Sequence, residues 1–478
     1  MENRSIYLNL SPLDHRYYLA NRVLFDKLSE HLSEEAGVKY SVLAEVALLK
    51  AHILTHFPSG SESKYWPILD QLSDKVLPDE VYKEEEKTQH NIRALVNVIK
   101  QYLPQELLPY VHLGATSVDM LDTANSLRIK KAVQEVILPL LADFEILLAE
   151  RAFSEAATPQ IGRTHGQFAV PITLGFAIAE YVSRLGKSIL EIRRLSDTLC
   201  GKLAGAVGSY NALSVITSDP PAFEAKFLGF LGLHASEHST QMVENEYLLR
   251  LLLEINVAFG ILANLADDLR NLQRSEIGEV REEFIATQVG SSTMPQKRNP
   301  WNSEHVKSLW KTFAPRVMTF YMDQISEHQR DLTNSASARF VSDYLAGFVA
   351  AVSRMFKVVK NLGVDKDRLT KNLKEGAGDM VLAEAVYILL ALAGETDGHE
   401  IVRKLTLTCE KDKIRLVDAL KSNSSLWSKL ETQLKSSTGL EASVFFANPE
   451  LYHGLAPQKA RDLSTKYSDL MKKMKGEL

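Results

Sequence analysis

The stretch ENEYLLRLLLEINVAFGILANLADDLRNLQR, Glu244 to Arg274, decides the fold. It contains no proline and a single glycine, and its apolar residues recur at three- and four-residue spacing, the period of an α-helix. From Leu248 to Leu265 apolar residues occupy nearly every side. A helix too apolar to face water belongs inside a bundle or beneath another subunit.

The same pattern extends outward from it. Asp119 to Glu155 carries Leu121, Ala124, Leu127, Ile129 and Val133 toward Val136, Leu138 and Leu141, and Pro139 predicts a bend. Further long helices are expected over Ile172 to Leu199 and over Asn302 to Lys360, the last broken by the polar, small-residue stretch Asp331 to Ser337. A helix of about 35 residues is about 50 Å long, more than one small domain can cover. Oligomerisation is the expected answer; a monomer wrapped by its terminal lobes is the alternative. Beyond Gly363 the periods shorten and charge density rises. The predicted organisation is an N-terminal helical domain (1–111), a central bundle of long helices (112–363) and a C-terminal helical domain (364–478). Alternating Val/Ile/Thr strands are nearly absent and no repeat period stands out, so the expected fold is all-α.

The chain has 478 residues, 45% of them hydrophobic and 24% charged, which excludes a disordered or collagen-like chain and leads one to expect two or three lobes. With 55 Lys+Arg against 60 Asp+Glu, the net charge of −5 supplies no global positive field, which argues against nucleic acid as a partner. Cys200 and Cys409 stand far apart, without metal or redox spacing, as expected in a reducing compartment. The longest uncharged stretch, Leu203 to Ser218, is too short for a membrane span of roughly 20 residues. The opening MENRSIYLNLSPLD has neither a signal core nor a transit pattern. The expectation is a cytoplasmic protein with no membrane partner.

Three polar clusters could carry chemistry. Gly290-Ser-Ser-Thr-Met-Pro-Gln-Lys-Arg-Asn-Pro300 packs two adjacent hydroxyls, a Lys and an Asn into a turn-rich link. It reads either as a plain connector or as a mobile loop that closes over a substrate and stabilises developing negative charge. Thr116-Ser117-Val118-Asp119 resembles an anion seat at a helix start, or Ser117 simply caps that helix. His165, between Thr164 and Gln167 in RTHGQ, is either structural or a titratable group fixed by its neighbours.

In combination these clusters resemble the fumarase/aspartase superfamily, whose members share the signature GSSxMPxKxNP, matched in full by residues 290–300. Further matches are SPLDHRY (Ser11 to Tyr17), Gln89-His90, Thr116 to Asp119, Arg163 to Gln167, GAVGSYNA (Gly205 to Ala212), Thr240-Gln241 and QRDLTNSASAR (Gln329 to Arg339). They span about residues 11–340; the C-terminal lobe offers no motif. Three positions depart from the pattern: His15 stands where Gly is common, Asn91 where an acidic residue is, and Phe168 where Pro is.

The resemblance implies an all-α homotetramer, each active site assembled from three chains, that releases fumarate by β-elimination. It implies Ser291 as general base, with Ser292 the nearest alternative, His165 as general acid, and Glu304 as the carboxylate paired with that histidine. Lys297 and Asn299 would hold a succinyl carboxylate, Thr116 and Ser117 would seat one from another side, Gln241 and Met294 would complete the pocket, and His90 would stand near the leaving group or phosphate. Arg16 and Tyr17, with Arg330, Ser335 and Arg339, would clamp a phosphate. That set points to the branch acting on succinyl-nucleotides, rather than to argininosuccinate lyase-like or carboxymuconate cycloisomerase-like enzymes or a silent crystallin-like protein. No cofactor and no metal are implied; His52/His56 and His234/His238 are only i,i+4 pairs.

Overall fold

The computed structural model describes residues 5–283 and 293–477. Its centre is a bundle of long helices: α2 (Ser117–Ala132), α3 (Leu138–Ser154), α4 (Leu174–Asp197), α5 (Glu246–Leu272), α6 (Trp301–Phe313) and α7 (Val341–Lys360). An earlier helix, α1 (Glu34–His56), anchors the N-terminal lobe, and α8 (Ala456–Glu477) is the last element. Helix α5 buries Leu251, Leu252, Ile255, Phe259 and Leu262 and leaves Leu253 and Val257 exposed. Each such burial contributes about 1.5–3 kcal/mol, so α5 is a substantial part of what holds the bundle together. By length and apolarity it could also cross a membrane, but 56% of its most apolar window is buried inside the fold.

The directions of the helices matter for the site. Helix α6 runs antiparallel to α5: Lys307 Nζ donates to Asp267 at 2.7 Å, and Trp310 lies beside Gly260. Helix α7 runs parallel to α5, since Tyr344 sits at Leu252 and Asn256 while Phe348 meets Phe259 with centroids 5.4 Å apart.

The helix expected over 119–155 is α2 and α3 joined by a π turn, Val133–Ile137, in which the Leu138 N–H reaches the Val133 carbonyl. Pro139 follows at once, in the first turn of α3. The wider turn moves the carbonyl that the proline ring would strike, so the strain is taken up by a change of register. The expected break at 331–337 falls earlier: helix Val317–Met322 ends before it, and a short helix Ser335–Arg339 resumes inside it. Three two-stranded ribbons occur among the described residues, including the antiparallel hairpin β1 (Pro159–Thr164) and β2 (Gln167–Thr173).

The hydrophobic cores cut across the boundaries drawn at 111 and 363. The N-terminal core joins α1 to Met120, Ala124 and Leu127 of α2 and to Leu203, Phe223 and Phe227. The C-terminal core runs from Leu373 to Phe446 and takes in Ile161. Helix α8 leaves that lobe and packs Ala460, Tyr467, Met471 and Met474 into the central core. There α3, α4 and α8 cross so closely that a Cβ at Gly186 would stand 2.2 Å from the Tyr467 ring and 2.9 Å from a Glu145 carboxylate oxygen.

Candidate active site

The first group of site residues surrounds the start of α2. Thr116, not Ser117, is the N-cap, and its N–H donates to Asp119 Oδ2 at 2.8 Å. Ser117 is the first helical residue, and its hydroxyl lies 3.5 Å from His90 Nε2. His90 itself caps the helix Asn91–Gln101, its Nδ1 accepting the Arg93 N–H at 3.3 Å. A nitrogen that accepts carries no proton, so in that geometry the neutral imidazole presents Nε2–H toward Ser117.

Behind this rim lie charges that the sequence motifs did not assign a role. Asp119 and Lys202 are both fully buried and ion-paired. Asp122, on the same helix, accepts the Val243 N–H at 2.9 Å, and burial pushes its carboxyl up to about 6, against the nearby positive charges of Lys202 and Arg330. The Gln241 N–H donates to the Gln329 carbonyl at 3.4 Å, and the Asn334 amide reaches the Met242 sulfur at 3.6 Å. Gly208, with φ of 82°, lies against Ser239 so tightly that a Cβ would stand 1.9 Å from its carbonyl oxygen. The glycine-rich segment, the Gln241 segment and the 329–339 segment therefore meet beside α2. Arg330 donates to Ser326 Oγ at 2.6 Å, Ser335 opens its short helix, and Arg339 lines a cleft with Asn91, Asp122, Asn125 and Arg128.

The second group lies at the far end of α5. Met294, Lys297, Asn299 and Glu304 line one pocket with Arg270, Gln273 and Arg274. Gln273 ties this end together, donating to the Arg298 carbonyl at 3.0 Å and accepting the Glu282 N–H at 2.8 Å. The Glu282 carboxylate caps α6, accepting from the Ser303 N–H at 2.8 Å and the Asn302 N–H at 3.2 Å, and so places Glu304 in the first turn. Arg16 and Tyr17 belong near here: the Tyr17 hydroxyl is 2.9 Å from His305 Nε2. Burial lowers the His305 pKa, and the charges of Arg354 and Arg16 lower it further. Arg354 is about 20 Å along α7 from its Val341 start, so one chain does not bring Arg16 and Tyr17 together with Arg339. Ser291 and Ser292 lie outside the described residues, as does residues 288–292 of the signature segment.

His165 stands apart from both groups, at the tip of the β1–β2 hairpin. Thr164 pairs with Gln167, leaving a two-residue turn in which His165 and Gly166 have φ of 54° and 74°. Two positive φ values make a type I′ turn, the form whose twist matches antiparallel strands. The imidazole is exposed, and no hydrogen bond joins it to Glu304 among the described residues. The hairpin is fastened by Arg163, which donates to the buried Glu279 at 2.5 and 3.1 Å; Gln160 and Asn372 add bonds of 2.8 and 2.9 Å to the same carboxylate.

Helix α5 has 27 residues, a length of about 40 Å. Gln241 precedes its beginning, while Arg270 and Gln273 mark its end, so the two groups face different regions of one chain. Each is chemically incomplete: one offers hydroxyls, an imidazole and a helix start suited to an anion, the other a Lys, an Asn and a carboxylate. Among the described residues no three His, Cys, Asp or Glu side chains gather to hold a metal ion. His52 donates from Nε2 to the Leu113 carbonyl at 3.0 Å, and burial takes its pKa down to about 4.

Comparison with known proteins bears on the family and the fold. Residues 34–314 match the lyase family, and residues 326–440 match the adenylosuccinate lyase C-terminal family. The chain is 32% identical over 422 residues to adenylosuccinate lyase of Pyrococcus abyssi, covering 86% of this chain and 90% of the relative. It is 30% identical over 473 residues to that of Pyrococcus horikoshii, covering 97% and 98%. Among solved structures it resembles the 3-carboxy-cis,cis-muconate lactonizing enzyme of Pseudomonas putida, with a TM-score of 0.77, 23% identity, and coverage of 97% of this chain and 100% of the other. A fumarate lyase of Mesorhizobium gives 0.75 at 21% identity, covering 92% and 97%. Those two likenesses establish the fold.

Proposed function

The chain belongs to the lyase family and, within it, to the adenylosuccinate lyases, and from that premise we propose that it is a carbon–nitrogen lyase releasing fumarate from adenylosuccinate to leave AMP. The same chemistry extends to the succinyl-aminoimidazole-carboxamide ribotide of purine synthesis. The buried, unpaired Cys200 and Cys409 suit work in the cytoplasm.

The reaction breaks a C–H bond beside a carboxylate and the C–N bond next to it, and forms the double bond of fumarate. Ser291 takes the proton, its alkoxide requiring nearby cations such as Lys297. Lys297 and Asn299 hold the carboxylate on which charge builds, completed by Gln241 and Met294, while Thr116 and Ser117 seat a carboxylate at the positive end of α2. His165 gives a proton to the departing nitrogen, with Glu304 as the carboxylate that pairs with it. His90 stands beside the leaving group, and Arg16, Tyr17, Arg330, Ser335 and Arg339 hold the phosphate.

The observation that carries this reading is the separation of these roles along the roughly 40 Å of α5. A site that needs both ends is built between copies, in a homotetramer whose subunits lie with α5 helices side by side. The exposed Leu253 and Val257 on α5 support that packing. The experiment is fumarate release from adenylosuccinate by the purified protein, followed by mixing two variants. His165→Ala and Lys297→Ala are each expected to be nearly inactive, and co-refolded mixtures are expected to regain activity because some sites draw both intact residues from different chains. Mixtures as inactive as their parents would remove the shared site.

A further inference from the structure

Lys202 and Asp119 carry formal charges with no exposed surface, deep behind the rim formed by Thr116, Ser117 and the glycine-rich segment. Their side-chain bonds all tie the start of α2 to residues 202–205. Asp119 Oδ2 accepts the Thr116 N–H at 2.8 Å, and Oδ1 accepts the Lys202 ammonium and the N–H groups of Ala204 at 3.2 Å and Gly205 at 3.3 Å. The ammonium also donates to the Gly205 carbonyl at 3.1 Å. One turn further along α2, the Thr123 hydroxyl donates to the Lys202 carbonyl at 3.2 Å and accepts its N–H at 3.1 Å.

A buried ion pair is a poor device for stability alone, because apolar residues of the same shape generally serve as well or better. What this pair supplies is placement and sign. It uses the Thr116 N–H, which points back, and leaves the first N–H groups of α2, those of Ser117 and Val118, to the rim, where no intrahelical carbonyl can reach them. A bare Asp119 carboxylate under that rim would repel an incoming anion; Lys202 cancels it and keeps the helix start attractive to negative charge.

We infer that Lys202 and Asp119 are positioning residues for the substrate's carboxylate, a strut that locks the start of α2 to Ala204 and Gly205 and neutralises the charge behind the seat. This rests on the elimination of fumarate proposed above, and extends it to two residues that never touch substrate.

The test uses the full chain with Lys202→Met, Asp119→Asn and the double variant, reading KM for adenylosuccinate, inhibition by fumarate, kcat and melting temperature. Lys202→Met leaves an unpaired buried carboxylate, so KM and the fumarate inhibition constant are expected to rise at least tenfold. The double variant restores charge balance; it is expected to melt within a few degrees of the wild type and still bind fumarate at least tenfold more weakly. Wild-type KM and fumarate inhibition in the double variant would reduce the pair to a fold-stabilising contact and overturn the inference. Should the Lys202 variants not fold, Asp119→Asn decides: it keeps the shape of the side chain, and an unchanged fumarate inhibition constant in it is equally fatal. A wild-type protein that releases no fumarate from adenylosuccinate retires the functional reading itself, whereas an active wild type beside unaffected variants retires only the strut.

Discussion

The two ends of α5 hold their charges in opposite ways. At the beginning, Asp119 and Lys202 are sealed inside the fold and saturated with bonds to backbone on two segments. At the end, three arginines pair with carboxylates close by in sequence and in contact with water: Arg270 with Asp267 at 2.7 Å, Arg281 with Glu283 at 3.0 Å, and Arg274 with Glu276. Exposed pairs of this kind contribute about 0–1 kcal/mol each and impose little geometry. The difference teaches that one half of the site is preset by long-range packing, while the other rests on local, water-facing pairs that constrain its geometry less.

The largest effect is expected from Lys297→Ala at the exposed end. It should lower kcat by about 10²–10³ while leaving the melting temperature where it was. A variant that loses stability in step with activity would place Lys297 in the preset half and break the comparison. Next comes Arg163→Ala, which tests a pair whose carboxylate is buried near the exposed end. Removing its guanidinium strands the buried Glu279, at a cost of about 3 kcal/mol in denaturant unfolding, and loosens the hairpin that carries His165. A change below about 1 kcal/mol would show that Gln160 and Asn372 hold Glu279 without it.

Asp122 sharpens the comparison through pH. Its folded pKa, raised mainly by burial from 3.8 to about 6, means that the native state holds a proton the unfolded chain releases. The associated stability is complete below about pH 4 and is lost as pH rises through about 6. Because the side chain keeps some contact with solvent, about 1–2 kcal/mol is expected from it. Asp122→Asn should flatten the stability curve between pH 4 and 6, and an unaltered slope would assign the titration to another group. The smallest effect is expected from Arg274→Ala, within about 0.5 kcal/mol by thermal unfolding, since its partner Glu276 is equally exposed.

Local chemistry made much of this legible in advance. The apolar run of α5 announced a buried helix, because its period and its lack of polar faces are properties of the segment itself. The Thr116 to Asp119 cluster announced a helix start, although the capping role fell to Thr116 and freed Ser117 for His90. The partnership of Asp119 with Lys202 was not legible, since it joins residues 83 apart and neither segment advertises a buried charge. The Pro139 bend was visible, but its resolution as a π turn depends on how α2 and α3 each pack. The hairpin turn at His165 and Gly166 was hidden because helices dominate either side. The destination of α8 was hidden for a different reason: its buried residues, Ala456, Ala460, Tyr467, Met471 and Met474, show an apolar face without naming the core it joins.

That destination has a consequence for how the molecule is made. Helix α8 covers α3 and α4, which leave the ribosome roughly three hundred residues ahead of it, so during most of synthesis those two helices lack their cover. The N-terminal core draws on residues no later than 233 and can close early, whereas the central one waits for its final strip. Nascent chains of this protein thus carry an uncovered apolar flank until that helix is made, the kind of surface on which chaperones act.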